Sequence, residues 1–498
     1  MTRTGLAAVV VLATAASTHA QTFSRVEFYP EMRLDYILAV ADLNADGLDD
    51  IVAGGRELDE ETVEQPEDRH DTTTLEVFFG VQDGTFRHAP ELVDGAIAVR
   101  RPFVVAADFN NDEQIDLAVF DAGVYVVEES VGYGNPPQLW LSDNDGVLRS
   151  SETLADAVRA EHALRPPTGK GLSAPADLYI KTAAAGDIDN DGDLDLWIES
   201  TGGKNVVSHF MVNNGDETFT IERDRATDAV FRNLPPDYWR HVGHTFADMD
   251  NDGDLDLALG HLRGTRPERA TSVSMVAVND GTGHYPQRIE LPHPGFNDGY
   301  TAVQFMTHFD FNEDGFEDLL LVHAREDGPE GLPSYTGRYL QSLINDGAAS
   351  GVLRRPMSFV DETPTWFDDQ SLTGQVYYSD GNLLYNFADP RMLDIDRDGC
   401  EDIVMANAFN PIRAETPIFY LNNGSGQFRP LTPDEMFIDL GWDGKYAIPA
   451  DVNGDGLADL VFPQRMLGPD DEYGTEDDST RFLTLLNTTP PRPVRCEP

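Results

Sequence analysis

One nine-residue pattern constrains this chain more than anything else in it. Oxygen-bearing side chains stand at positions 1, 3, 5 and 9, usually with glycine at 6, and an apolar run follows at once. "DLNADGLDD" starts at Asp42, "DFNNDEQID" at Asp108, "DIDNDGDLD" at Asp187 and "DMDNDGDLD" at Asp248. "DFNEDGFED" starts at Asp310, "DIDRDGCED" at Asp394 and "DVNGDGLAD" at Asp451, so seven copies recur at intervals of 57 to 84 residues. Such spacing is that of a calcium loop, but an EF-hand needs a bidentate Glu at position 12 and flanking helices. Position 12 here is Ala53, Val119, Ile198, Leu259, Leu321, Met405 and Phe462, all apolar. None is an EF-hand, and the aspartate at position 9 is expected to close the cage instead. The intervals are too long for tandem loops packed directly on one another, and no helical periodicity follows them, which excludes dockerin modules. Repetition at this spacing points to a propeller or a solenoid.

The expected cages are Asp42, Asn44, Asp46 and Asp50; Asp108, Asn110, Asp112 and Asp116; Asp187, Asp189, Asp191 and Asp195; and Asp248, Asp250, Asp252 and Asp256. The remaining three are Asp310, Asn312, Asp314 and Asp318; Asp394, Asp396, Asp398 and Asp402; and Asp451, Asn453, Asp455 and Asp459. The carbonyl at position 7 would add a fifth hard oxygen for calcium. The plain alternative is a set of Asx-rich turns, which seven matches in register make the weaker reading. In the second loop Glu113 stands where glycine is expected, at a position that calls for positive φ.

Around each loop the parts keep one order. An apolar run ("YILAVAD", "PFVVAAD") precedes it, a second follows directly ("DLWIE", "DLALG"), and a third comes after a variable connection ("HFMVNN", "SMVAVN", "YLQSLIN"). In the first six copies a Gly-rich turn then leads to a fourth, more polar run. These are β-branched and aromatic stretches of strand length bounded by Gly, Asn and Asp. Four antiparallel strands per repeat and seven repeats predict an all-β fold, a seven-bladed β-propeller. The seventh copy lacks its fourth strand, whereas "TFSRVEF" near the N-terminus resembles the fourth strand "TFRHAPEL" of the first copy. Residues 22–28 are therefore expected to complete the last blade and remove an open sheet edge.

The first twenty residues carry one Arg, an apolar core and a small-residue end at Ala20, the form of a secretory signal peptide cleaved before Gln21. That divides the chain into a leader at 1–20, a propeller at 21–487 and a tail at 488–498, with the mature protein outside the cytoplasm, extracellular or periplasmic. A net charge of −53 excludes nucleic acid and anionic membranes as general partners. The cages supply 24 of the 88 acidic residues, so seven calcium ions would offset only part of that charge. Two cysteines, Cys400 and Cys496, are expected to pair in an exported protein and staple the Pro-rich tail beneath the ring.

The loop D-x-[DN]-x-D-G-x-x-D followed directly by an apolar strand resembles the FG-GAP (VCBS-type) repeat family, which includes the seven-bladed head of integrin α-subunits. The resemblance covers residues 22–487. It implies calcium in the hairpin between the first and second strands of each blade. Related propellers include lectins and some polysaccharide lyases.

If calcium hairpins and Gly-rich turns share one face, the long connections near 54–74, 149–178, 325–337, 352–385 and 463–480 lie on the other, where binding loops belong. Residues entering the inner strands would surround the channel there: Tyr36, Arg101, Tyr179, Lys181, Tyr238, Trp239, Arg240, His241, Tyr300, Tyr385, Trp442 and Tyr446. Aromatic rings and a few cations against an acidic background suit a carbohydrate or an extracellular protein ligand, bound by a monomer. In "DYWRHVGH" the His, Tyr and Arg offer a base, an acid and a charge neutraliser for a polysaccharide lyase. His241 and His244 as a zinc pair is disfavoured, because residues three apart on a regular strand face opposite sides. A binding module and a carbohydrate-active enzyme thus both stay open.

Overall fold

The computed structural model describes residues 8–10, 23–30, 34, 36–54, 75–90, 93–94, 102–121, 124–126, 131–133, 135–143, 146–164, 180–200, 209–225, 241–261, 273–294, 301–325, 336–346, 357–367, 389–406, 419–424, 427–431, 448–466 and 479–492. They form seven four-stranded antiparallel sheets arranged as the blades of a propeller. In blade 5, for example, Thr301–Phe309, Asp318–Arg325, Thr336–Asn345 and Phe359–Asp361 pair in sequence order. Each calcium-type loop is the hairpin between first and second strands, so the motif recurs once per blade.

The ring closes as the sequence predicts. Phe23–Phe28 pairs antiparallel with Ser479–Asn487, from Phe23 opposite Asn487 to Phe28 opposite Phe482. Val26 is buried. Phe28 joins Phe78, Phe86 and Phe482 in a cluster with ring centroids 5.3 to 6.2 Å apart, which seals blade 7 against blade 1. Ala8–Val10 adds a short outer strand against Phe23–Phe28.

Cores lie between neighbouring blades, because each sheet presents an apolar face to the next. Position 2 of every loop feeds these cores: Leu43, Phe109, Ile188, Met249, Phe311, Ile395 and Val452 are all buried. Three departures from a plain four-strand repeat stand out. Val93–Asp94 pairs in parallel with the outer strand of blade 2, a small hairpin joins Val124–Val126 to Val131–Tyr133, and Thr153–Leu164 is a helix. The helix falls in the 149–178 connection, read from the sequence only as a long loop. Its Leu154, Ala155, Ala157 and Val158 pack among Phe109, Leu139, Ile180 and Phe219, filling the groove between blades 2 and 3.

Candidate metal centres

The seven loops share one backbone. Position 6 has positive φ in each, and Glu113 takes it at +67° beside glycines between +79° and +96°. The odd residue of the second loop therefore adopts the conformation of the other six, at a conformational cost that glycine avoids. Position 4 is left-handed too, at Ala45, Asn111, Asn190, Asn251, Glu313, Arg397 and Gly454, a requirement not read from the sequence. Asparagine at three of these positions is the signal that could have shown it, since Asn tolerates this region best after Gly.

These two turns wrap the backbone around the position 1 carboxylate. Its Oδ2 accepts the position 6 amide at 2.8 to 3.0 Å in all seven loops. Position 9 is more deeply set: Asp50, Asp116, Asp195, Asp256, Asp318, Asp402 and Asp459 are at most 1 % exposed. Each accepts the amide that ends the third strand of its own blade, from Gly80, Ser142, Asn213, Asn279, Asn345, Asn422 and Asn487, at 2.6 to 2.8 Å. The calcium-type hairpin and the Gly-rich turn therefore do lie at the same end.

Those third-strand asparagines also clamp one blade to the one before. The Asn213 amide group donates to the Phe109 carbonyl, Asn279 to Ile188, Asn345 to Met249 and Asn487 to Ile395, at 2.7 to 3.0 Å. Each acceptor is position 2 of the preceding loop. The recurrent final Asn of "HFMVN", "SMVAVN" and "YLQSLIN" is the trace of this clamp, and sequence reading passed over it. A second belt runs loop to loop: Asn111 donates to Asp193, Asn190 to Asp254, and Asn251 to the Gly315 carbonyl, at 2.6 to 2.7 Å. At the seam the Asp49 amide donates to the Asp451 carbonyl, and the Asp451 amide to Asp49 Oδ2.

The loops are thus Asx turns and potential cages at once. Two observations favour a cation. First, burial pushes the position 9 carboxyls far up, against the backbone amides that pull them down and with help from neighbouring aspartates. Asp116 rises to about 6, Asp50, Asp195, Asp318 and Asp459 to about 7, and Asp256 and Asp402 to about 8. Second, Asp189 Oδ1 and Asp396 Oδ1 are buried with no hydrogen-bond partner, a costly state for carboxylate oxygens. A divalent cation would answer both.

Among the described residues three loops bring a carboxylate triad within 4.8 Å: Asp187, Asp189 and Asp195; Asp248, Asp250 and Asp252; and Asp394, Asp396 and Asp402. Position 9 belongs to the triad in two of these, whereas in the fourth loop position 5 takes its place. The other four loops carry Asn at position 3 and so offer one carboxylate fewer. Cys400, at position 7 of the sixth loop, is buried and disulfide-bonded. Cys496 lies outside the described residues. The tail before it crosses the sixth loop, where Arg397 donates to the Thr489 carbonyl at 2.9 Å and the Arg492 amide to the Arg397 carbonyl at 3.0 Å.

At the opposite end, Tyr36 and His241 open the inner strands Tyr36–Ala41 and His241–Ala247. Lys181 lies on Ile180–Gly186; the side chains of these three are not described. Arg101, Tyr179, Tyr238, Trp239, Arg240, Tyr300, Tyr385, Trp442 and Tyr446 lie outside the described residues. A register shift recurs in this half of the inner strands of blades 1, 3, 4 and 5. In blade 4 it falls between His241 and His244, so simple alternation does not hold across that pair. His244 packs by Thr182, 3.2 Å from its hydroxyl, and enclosure pushes it down to about 4. Along the axis the inner strands of blades 1, 5, 6 and 7 line a cavity of about 550 Å³, with Asp49, His308 and Arg391 among its polar walls.

Residues 187–259 and 394–462 match the model of the FG-GAP-like repeat. Each match begins at position 1 of one loop and ends at position 12 of the next. No curated protein matches the sequence. Among solved structures, a lectin from Agrocybe aegerita that recognises non-reducing terminal N-acetylglucosamine is 14 % identical, with a TM-score of 0.43 over 91 % of this chain and 95 % of that one. The V. cholerae biofilm matrix protein Bap1 is 13 % identical, with a TM-score of 0.34 over 95 % and 89 %. A protein described as an exo-beta-1,3-galactanase candidate from Bifidobacterium bifidum s17 is 10 % identical, with a TM-score of 0.32 over 66 % and 91 %. None of these likenesses is close enough to carry a ligand or an activity across.

Proposed function

We propose that this FG-GAP-repeat propeller is an exported, calcium-stabilised binding module whose ligand face is the end away from the calcium loops. The observation that carries the reading is the sevenfold recurrence of one buried carboxylate cage. Asp189 Oδ1 and Asp396 Oδ1 are buried without a partner, and the position 9 carboxyls are all held far above their usual range. Hard oxygen donors from Asp and Asn side chains and a position 7 carbonyl suit calcium rather than a soft metal. The bound ion would supply positive charge where the fold buries like charges together. In this reading the leader at 1–20 is cleaved, the propeller spans 21–487 and the tail 488–498 is stapled by Cys400 and Cys496.

The other end is free of that duty. Register shifts bend four inner strands in the half to which the sequence assigns the aromatic and cationic residues, and such bends are a recurrent way to re-aim side chains at a site. Carbohydrate is the ligand class that rings of this kind and few charges favour, with an extracellular protein as the other source of the same contacts. The test is a calcium assay by elemental analysis joined to a screen of acidic and neutral polysaccharides with Trp239→Ala and Arg240→Ala. Several calcium ions per chain, and glycan binding lost in both variants without a change in melting temperature, are expected. A metal-free protein as purified and dialysed against calcium would end the calcium reading, and binding indifferent to both variants would end the ligand face. Appearance of unsaturated sugar product would instead make the protein a lyase.

A further inference from the structure

Position 3 divides the seven loops. It is Asn in loops 1, 2, 5 and 7 and Asp in loops 3, 4 and 6. In two of the three Asp loops a guanidinium sits on that extra carboxylate. Arg225 donates to Asp189 Oδ2 at 2.8 Å, from just beyond the fourth strand of blade 3. Arg492 donates to Asp396 Oδ2 at 2.6 Å, from the C-terminal tail. Two unrelated stretches of chain thus deliver the same group to the same atom of equivalent residues. In both, the other oxygen, Oδ1, is buried and unpartnered, and both aspartates join a triad with position 1 and position 9. Asp396 is only 4 % exposed, so its Oδ1 has little recourse to water. Among the described residues no Arg or Lys meets the cage of the fourth loop.

We infer that Arg225 and Arg492 set the charge of the third and sixth cages, returning each to the net charge of an Asn-bearing loop and leaving the fourth as the most negative and tightest divalent-cation site. This rests on the cation reading above. A cation on Asp396 would share one carboxylate with a guanidinium, and like charges across a single carboxylate repel strongly. Cation affinity in such loops follows the number of charged ligands. Compensation is graded, because the Arg225 Nε is also taken by Glu222 at 2.7 Å, whereas the tail guanidinium meets Asp396 alone among the acids its hydrogen bonds show. The order of affinity is therefore loop 4, then loop 3, then loop 6.

A purely structural role predicts the opposite sign. Were Arg492 only a brace, removing it would loosen the sixth loop and weaken its ion. Amide hydrogen exchange, followed by mass spectrometry across a calcium chloride titration of the full chain, reads each loop separately. For Arg492→Gln the calcium concentration that half-protects 394–402 is expected to fall about tenfold. The midpoints of the other loops should stay, and Arg492→Lys should keep the parent midpoint. For Asp250→Asn the midpoint of 248–256 should rise by about the same factor, and this variant carries the test if loss of Arg492 prevents folding. An unchanged or raised midpoint at 394–402 in Arg492→Gln, or an unmoved one at 248–256 in Asp250→Asn, overturns the assignment. Exchange at all seven loops indifferent to calcium would overturn the cation reading itself, and is distinguishable because the unsubstituted protein shows it.

Discussion

The two ends of the propeller settle their buried ionisable groups in different ways. The loop end buries seven position 9 aspartates, and lack of water drives their carboxyls up to between about 6 and about 8. At the other end of blade 5 it buries His323, pushed down to about 4 by the same lack of water. Both environments refuse charge, but they resolve it differently. His323 is satisfied as a neutral ring, its Nδ1 3.0 Å from the Thr301 hydroxyl and its Nε2 2.9 Å from Gln341 Oε1. The aspartates are crowded by further aspartates and gain relief only from protons or a cation. One end settles burial with hydrogen bonds, and the other crowds charge that a proton or a cation would relieve.

The largest effect should come from a change that spares neither end. Phe23–Phe28 covers most of the blade 7 wall, from Asn487 at the loop end to Phe482 towards the other. Deleting residues 21–29 bares the edge of Ser479–Asn487 and opens the Phe28 cluster at the seam. Aggregation, or loss of a cooperative melting transition, is the expected outcome. A monomeric truncated protein with the parent melting curve would show that the seam is held elsewhere.

Chelation comes next, and it separates the ends. A site saturated a hundredfold above its dissociation constant adds about 2.7 kcal/mol, so even three occupied loops would outweigh most single substitutions. Melting temperature should drop sharply in excess chelator at pH 8. In the chelated protein the loss should shrink on acidification. Carboxyls raised when folded take up protons that the unfolded chain would not, so folded stability grows as pH falls from 8 towards 5. Calcium-loaded protein should lack that gain. Equal acid responses with and without calcium would dissociate the cages from the metal.

Much of the loop end was legible in the sequence, because each structural need there repeats seven times in nearly the same letters. The hairpin position, blade count and closing strand followed from apolar runs and one missing strand. What escaped were needs met by single atoms. The clamp rests on a single asparagine side chain, shown in blades 3, 4, 5 and 7, whereas blades 1 and 2 carry Gly80 and Ser142 in that place and keep only the backbone bond to position 9. The left-handed turn at position 4 is filled by Asn in three loops but by Ala, Glu, Arg or Gly in the others, so its signal is only partial. The helix Thr153–Leu164 follows the outer strand of blade 2, and its counterpart after the outer strand of blade 5, Thr363–Trp366, is a single turn, so no repeating helical period announces it. Repetition makes physics readable, and the end that differs from blade to blade gives up less.

A single clamp residue tests whether the loop end is rigid apart from its ions. Asn345 donates to the Met249 carbonyl at 2.7 Å and, less well, to the Glu317 carbonyl at 3.3 Å. Asn345→Ala strands a buried carbonyl between blades 4 and 5 and should cost about 1–3 kcal/mol in saturating calcium. Urea unfolding measures it. A cost below about 0.5 kcal/mol, the usual range of an exposed substitution, would make the clamp incidental.

The smallest effect isolates the other end. His323 is depressed when folded, to about 4 against an ordinary value near 6.5. Its stabilising contribution is therefore complete above pH 6.5 and is lost as pH falls from there towards 4. Down to pH 6 the loss is only about 0.8 kcal/mol, the free energy of protonating a pKa 6.5 group in the unfolded chain alone. The groups facing it are Thr301, Gln341, Tyr339 and His261, with Asp361 held by the Gln341 side chain at 2.8 Å and His293 also near enough to act on its charge. His323→Gln has no proton to gain and should flatten that part of the profile when both proteins are measured in saturating calcium. What counts is the difference in slope between pH 7.5 and 6, since the substitution also shifts absolute stability by an amount that packing decides. Parallel profiles for the two proteins would mean that His323 is not the group this end keeps neutral.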